Sequence, residues 1–465
     1  MKKTKIICTV SDVRCDSEFI RELYENGMNV ARINSAHATL EGAQKIVDNV
    51  RSVSDKIGIL IDTKGPEIRL NEMDNTVGFP VQEGDHIHVG KGLGNKCRQG
   101  MLYTNCEGFV DDVPVGAQIL IDDGAIALEV IGKDEDTLSC RICNNGVIKG
   151  KKSINVPGVH ISLPSLTDKD KSFVRWAIEA DIDFIAHSFV RNKEDLHEIQ
   201  RLLDEAGSHI KIISKIENQQ GIDNLDDILT YCYGVMIARG DLGVEIPAEK
   251  IPMIQKLIVQ KCRARKKPVI VATQMLHSMI ENPRPTRAEV TDVANAIFQS
   301  TDAIMLSGET ASGKYPIEAV RTMSTIAKEA EETIDTTLDL NLEKVTKPIA
   351  GVLAKALVSA TQTLPVKAII LDTWTGRTGR YLAEFRPKVP IYAMCYNSFT
   401  MRELALSYDV YSYKFEITDS KEGFVQNSLK ILLEDGKLEK GDLVGFIGGS
   451  FNDEVGATYM EFKYV

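Results

Sequence analysis

Ile210-Lys-Ile-Ile-Ser-Lys-Ile-Glu-Asn218, Gly234-Val-Met-Ile-Ala-Arg-Gly-Asp241 and Asp302-Ala-Ile-Met-Leu-Ser-Gly-Glu309 follow one pattern, a short apolar run that ends in charged or hydroxyl residues. Such a run reads as a strand buried on both faces, and strands of that kind belong to parallel sheets covered by helices. Working outward, the same run recurs at Lys5–Cys8, Asn29–Ile33, Gly58–Ile61, Asp183–Ala186 and Pro268–Val271. Amphipathic segments such as Asp168–Ala180, Lys193–Ala206, Ile251–Ala264 and Ala288–Gln299 lie between several of them. Eight βα units in series predict an α/β fold, a (β/α)8 TIM barrel formed by residues 1–69 and 166–335.

One βα loop is far too long for that plan. Residues 70–165 show Gly-punctuated alternation at Asp85–Val89, Gln118–Ile121, Ile126–Val130 and Leu138–Ile142, which predicts a small all-β domain inserted after the third strand. After the polar stretch Asp335–Lys347, apolar runs resume at Ala368–Leu371, Ile391–Ala393, Val410–Ser412 and Leu443–Ile447, so residues 348–465 read as a separate C-terminal α/β domain.

Composition narrows the function. With 465 residues, 43% hydrophobic and 26% charged, the chain is neither disordered nor fibrous. A formal net charge of −11 argues against nucleic acid or an anionic membrane as partner, so an anionic ligand must be held by a local positive cluster. Nine scattered cysteines form no disulfide framework and argue for a reducing compartment. Polar Ser11-Asp12 ends the apolar run after Lys5 too early for a signal peptide, and no stretch is long enough to span a bilayer; we expect a cytoplasmic protein.

Catalytic groups of such barrels sit at the C-terminal ends of the strands. Here those ends carry Arg32 and Asn34; Asp62-Thr63-Lys64; Ser188, with Arg191 behind it; Lys215 and Glu217; Arg239-Gly240-Asp241; Thr273-Gln274; and Ser307-Gly308-Glu309. A polar residue after any one strand is ordinary loop surface, but seven successive strands converge on one rim. Cationic side chains suit an anionic substrate, and the two acids Glu217 and Asp241 suit Mg2+ better than a zinc cage. Phosphoryl transfer needs that combination, because its chemistry is mostly positioning and charge neutralisation.

The segments KIICT (Lys5–Thr9), GMNVARIN (Gly27–Asn34), DTKGPEIR (Asp62–Arg69), IISKIEN (Ile212–Asn218), ARGDLGVEIPAEK (Ala238–Lys250), KPVIVATQM (Lys267–Met275), NPRPTRAE (Asn282–Glu289) and MLSGET (Met305–Thr310) closely resemble pyruvate kinase, in order along the whole chain. The resemblance implies a glycolytic enzyme that moves the phosphoryl group of phosphoenolpyruvate to ADP, giving ATP and pyruvate, with Mg2+ or Mn2+ and usually K+. It implies that Lys215 neutralises the transferring phosphoryl and the enolate oxygen, that Glu217 and Asp241 ligate Mg2+, and that the N–H groups of Gly240 and Asp241 hold the substrate carboxylate with the Thr273 hydroxyl. Arg32 would hold the phosphate, supported by Arg69 and Ser188, while Thr273 and Ser307 would lie on the route that protonates the enolate carbon. Thr9, Arg32, His37 and Lys152 match nucleotide-side positions, and Asn34, Asp62 and Thr63 match ligands of K+. The inserted domain would be a lid, and the assembly a homotetramer.

The chain departs from the family pattern at two places. The family's C-T-I-G-P is Cys8-Thr9-Val10-Ser11-Asp12, and its N-F-S-H-G is Asn34-Ser35-Ala36-His37-Ala38, which removes a hydroxyl that normally ligates the monovalent cation. Glu67 resembles the K+-dependent members, where a lysine would replace the ion's charge. In the C-terminal domain Thr373, Thr375, Gly376, Arg377 and Thr378 open a helix after a strand, which reads either as a capped turn or as a cradle for a phosphorylated allosteric effector. Cys140-x-x-Cys143 lacks a second pair at zinc spacing, His86 and His88 read as a surface pair, and Arg263–Lys267 reads as a solvated basic loop. Two other functions compete: a Mg2+-enolate aldolase or lyase on a related barrel, and a homologue that binds metabolites without turnover.

Overall fold

The computed structural model describes residues 2–75, 77–334, 347–418, 420–449 and 456–465. Most of the polar connection Asp335–Lys347 therefore lies outside the described residues. Eight parallel strands, Lys5–Thr9, Val30–Asn34, Gly58–Asp62, Phe184–His187, Lys211–Ile216, Gly234–Ala238, Val269–Ala272 and Ala303–Leu306, close into a barrel. Closure is made by the first strand, which pairs with both Val30–Asn34 and Ala303–Leu306.

Strand periodicity sorts the side chains. Ile7, Val30, Leu60, Phe184, Ile213, Met236, Ile270 and Met305 fill the barrel interior, whereas their chain neighbours join the larger shell between strands and helices. Because the strand repeat is two, Thr9, Arg32, Asp62, Lys215 and Ser307, each two residues beyond an interior position, point to the same side one layer higher. The apolar middle layer thus forms the floor of a polar upper layer.

Between the third and fourth barrel strands the chain builds a separate unit. Its main sheet has the order Ile154–Asn155, Gln118–Ile121, Ile126–Lys133, Thr137–Ile142, His86–Gly90 and Met101–Tyr103, around a core of its own. His86 and His88 are exposed on one strand face, Cys140 is buried, and no cluster of metal-ligating side chains occurs among the described residues.

The C-terminal sheet, Val410–Lys414, Ile391–Cys395, Val366–Thr373, Leu443–Gly449 and Ala457–Tyr464, is parallel except for its last strand, which the sequence pattern did not indicate. This domain has its own core on both sheet faces, yet it is bolted to the barrel rather than tethered to it. Leu406 is fully buried in the barrel's interior cluster, closing the mouth opposite the site. Around it Arg402 Nε pairs with Asp183 at 2.5 Å, Arg386 pairs with Asp302 at 2.7 Å, and Lys5 Nζ donates to Val410 O at 2.6 Å.

The basic run 263–267 is not the expected solvated loop. Lys266 is buried with its ammonium 4.9 Å above the Phe385 ring, and Lys267 Nζ donates to Cys232 O. The seam against the C-terminal domain covers Lys266, while barrel residues hold Lys267 and, through Asp226, Arg265; a linear pattern reveals neither. No described helix is long and apolar enough to cross a membrane.

Candidate active site

Lys215, on the fifth strand, is the hub. Its Nζ lies 3.0 Å from Asp62 Oδ1 and 3.0 Å from Glu217 Oε1, and donates to Ser188 Oγ at 2.8 Å. Asp62 Oδ2 in turn accepts from Arg32 Nε and NH2, both at 2.7 Å. Arg32 NH1 donates to Thr9 Oγ1 at 2.9 Å, and that hydroxyl donates to Leu306 O, so Thr9 orients the arginine. Asp62 and Glu217 are at most 1% exposed.

Burial opposes the charge on Lys215, but Asp62 and Glu217 outweigh it, and its pKa is raised. Burial likewise opposes the Asp62 carboxylate, and Lys215 with Arg32 more than compensates, holding it below the usual range. Glu217 is different: burial, only partly offset by Lys215, pushes it up to about 7. The charged pair is therefore Lys215 with Asp62, while Glu217 lacks full compensation. A second cation would supply it, and the donors are hard oxygens, so Glu217 with Asp241 fits a divalent ion of the Mg2+ class. Asp241 is exposed at the start of the Arg239–Glu245 helix and lines a cleft of about 630 Å3 with Gly240, Gln274 and Asp123 of the inserted domain.

Two left-handed residues end the seventh strand, Thr273 at φ +70° and Gln274 at φ +53°. Such conformations in non-glycine residues cost energy and cluster at functional sites. Thr273 Oγ1 accepts from Gly240 N at 2.8 Å, bringing together the two groups expected to hold the substrate carboxylate. Ser307 N donates to Glu309 Oε2 at 2.7 Å, and Leu276 N donates to Glu309 Oε1 at 3.1 Å, so the buried Glu309 ties the last two strand ends together.

Other expected site residues stand apart. Arg69 pairs with Glu67 at 2.8 Å and donates to Lys151 O; Lys152 pairs with Asp122 on the inserted domain at 3.0 Å; His37 is exposed. Asn34 Oδ1 accepts from Ala36 N, and Thr63 O accepts from Ser188 Oγ at 2.6 Å, with the buried, unpartnered Ser35 Oγ between Asn34 and Ala36 in the chain. This oxygen-rich corner suits a monovalent cation.

Two strand-end arginines in the inventory serve the scaffold instead. Arg191 pairs with Asp195, and Arg239 pairs with Asp292 and donates to Thr273 O at 2.7 Å, holding the left-handed turn. Phe189, whose N–H donates to Glu217 Oε2 at 2.7 Å, escaped sequence reasoning because a backbone donor leaves no mark on residue type.

A closed barrel whose strand ends gather Arg32, Lys215, Asp62, Glu217 and Asp241 defines a (β/α)8 protein with a densely charged site at the C-terminal mouth of its strands. The family profile described as "Pyruvate kinase, barrel domain" matches residues 1–320, and that described as "Pyruvate kinase, alpha/beta domain" matches residues 352–460. The chain belongs to the pyruvate kinase family, which consists of phosphotransferases, and its function is that of a pyruvate kinase. It is 47% identical over 472 residues to the pyruvate kinase of Borreliella burgdorferi, covering 100% of this chain and 98% of that protein. It is 43% identical to the pyruvate kinase of Bacillus licheniformis, covering 100% of this chain and 80% of that longer protein. The crystal structure of a pyruvate kinase from Cryptosporidium parvum superposes with a TM-score of 0.94 at 34% identity, covering 100% of this chain and 96% of that one.

Beneath the site, His187 is fully buried, neither ring nitrogen has a hydrogen-bonding partner, and burial lowers its pKa to about 4. The unfolded chain therefore takes up this proton first, and its contribution to stability is lost as pH falls from about 6.5 towards 4. Urea unfolding at pH 7.5 and pH 5 should show a loss from this group of about 2 kcal/mol, at about 1.4 kcal/mol per unit. His187→Gln should flatten the dependence by that amount; an unchanged slope in the variant would assign the loss elsewhere.

Proposed function

We propose that the Lys215 cluster carries phosphoryl transfer from phosphoenolpyruvate to ADP, giving ATP and pyruvate, and that it does so with Mg2+ or Mn2+ and with K+. The observation that carries this reading is the buried ammonium fixed between Asp62, Glu217 and Ser188, facing the same layer as Arg32. A preorganised charge of this kind needs no rearrangement as negative charge shifts during transfer. Arg32 orients the phosphoryl group, and Lys215 neutralises first its oxygens and then the enolate oxygen. Gly240 and Asp241 N–H groups with the Thr273 hydroxyl hold the carboxylate, and Thr273 and Ser307 lie on the proton route to the enolate carbon. Glu217 and Asp241 would hold the divalent ion, which when bound supplies charge neutralisation and a template for substrate oxygens.

Thr9, Arg32, His37 and Lys152 form the nucleotide side, with Lys152 brought over by the lid, residues 70–165, as it closes on the barrel of residues 1–69 and 166–335. Arg69 and Ser188 support the substrate site. Nine unpaired cysteines are consistent with work in the cytoplasm.

Two unpartnered surfaces support a homotetramer with two kinds of interface: Met253, Leu257, Val290 and Phe298 are exposed on neighbouring helices, and Ala457–Tyr464 is an edge strand of the C-terminal domain, residues 348–465. In that domain Gly376, at φ +68°, donates its N–H to Thr373 Oγ1, so Thr373 caps the turn; Thr378 is buried, while the exposed Thr375 and half-buried Arg377 remain to receive a phosphorylated effector.

Lys215→Met should lower turnover by about 100-fold to 1,000-fold with the fold retained. Glu217→Gln should instead raise the Mg2+ requirement in the same coupled assay of pyruvate formation. If the lysine variant kept a tenth of wild-type turnover, its assigned role would be wrong.

Glu67 is paired with Arg69, so the cation rests on Asn34, Asp62 and the Thr63 carbonyl as ligands, and K+ activation should persist despite Ala36 because water can fill one missing position. Initial rates against KCl at constant ionic strength should show activation, and Ala36→Ser should shift half-activation to lower K+. Equal rates with and without K+ would refute the reading.

Light scattering should give four times the 51.4 kDa chain mass, and a phosphorylated metabolite should lower the Michaelis constant for phosphoenolpyruvate. A monomer, or a saturation curve indifferent to a metabolite panel, would overturn the respective point.

A further inference from the structure

The turn Ser188–Arg191 leaves the fourth barrel strand with one end at the site and the other on the inserted domain. Ser188 Oγ accepts from Lys215, and Arg191 NH2 donates to Leu163 O at 2.9 Å, in the segment by which the inserted domain returns to the barrel. Between them Phe189 adopts φ +55°, a conformation that a bulky residue keeps only where its surroundings over-determine it.

Its backbone N–H holds Glu217 Oε2 at 2.7 Å. Its ring packs on Gly65, where a Cβ would stand 2.7 Å from Phe189 Cδ2, a close approach that only glycine permits. Phe189 also lines a cavity of about 230 Å3 together with Pro66 and Ile68 of the outgoing stem and Ile154 and Val156 of the returning one. A single residue thus packs its side chain on the outgoing stem, shares a cavity with the returning one, and holds the Glu217 carboxylate with its backbone.

We propose that Phe189 is a positioning residue that couples the placement of the two stems to the placement of the Glu217 carboxylate. The inference rests on the metal and lid roles given above. Movement of the stems shifts the ring, the stiff left-handed turn carries that shift to the peptide, and the N–H carries it to Glu217. Coupling is reciprocal, so an ion that organises Glu217 must also alter the stems.

Amide hydrogen exchange of peptides covering residues 64–70 and 154–163, with Mn2+ as probe and no substrate, tests this directly. In the wild type Mn2+ should slow exchange in both stems by about fivefold or more, the lower end of ordinary coupling between sites. Phe189→Ala and Phe189→Leu should still bind Mn2+ but lose the stem response, whereas Phe189→Tyr, which keeps the ring, should retain it. If the alanine variant fails to fold, the leucine variant decides. A wild type that binds Mn2+ without a stem response, or a response unchanged in the leucine variant, would overturn the coupling and leave the metal reading intact. A wild type that binds no Mn2+ would remove both.

Discussion

A buried ammonium held between two carboxylates governs the architecture around it. Charges taken out of water are tolerated only with well-placed partners, and here Lys215, Asp62 and Arg32 compensate one another at hydrogen-bonding distance. That arrangement requires three different strands to end in register, which a closed barrel provides. It also leaves Glu217 short of positive charge.

The same constraint explains the supporting shell. Strand ends are loops, and loops drift unless something fixes them, so Glu309 ties two ends together, Arg239 pins the turn at Thr273, and Ser188 joins Lys215 to Thr63. At the opposite mouth Leu406 and the Arg386–Asp302 and Arg402–Asp183 pairs clamp the starts of the eighth strand and the chain entering the fourth. The strand ends that form the site and the C-terminal domain are thus joined through short, rigid strands.

Charged residues illustrate how far a linear reading carries. Arg191 and Arg239 follow strands just as Arg32 does, yet only the tertiary structure distinguishes a residue facing the site from one spent on Asp195 or Asp292. The basic run at 263–267 misled in the same way, because the domain seam that buries Lys266 is formed by residues more than a hundred positions away.

What the sequence by itself determined was the barrel, the inserted β domain, the C-terminal α/β domain and the identity of Lys215, Glu217, Asp241 and Thr273 as candidates. Hydrophobic period and strand-end chemistry are local properties, written residue by residue, and the ordered motifs carried the family. Tertiary structure alone decided which charges are paired, that Leu406 plugs the barrel, that Thr9 orients Arg32, and that Phe189 stands between the stems and Glu217. Those facts depend on burial and distance between segments remote in the chain, and neither quantity exists until the barrel closes.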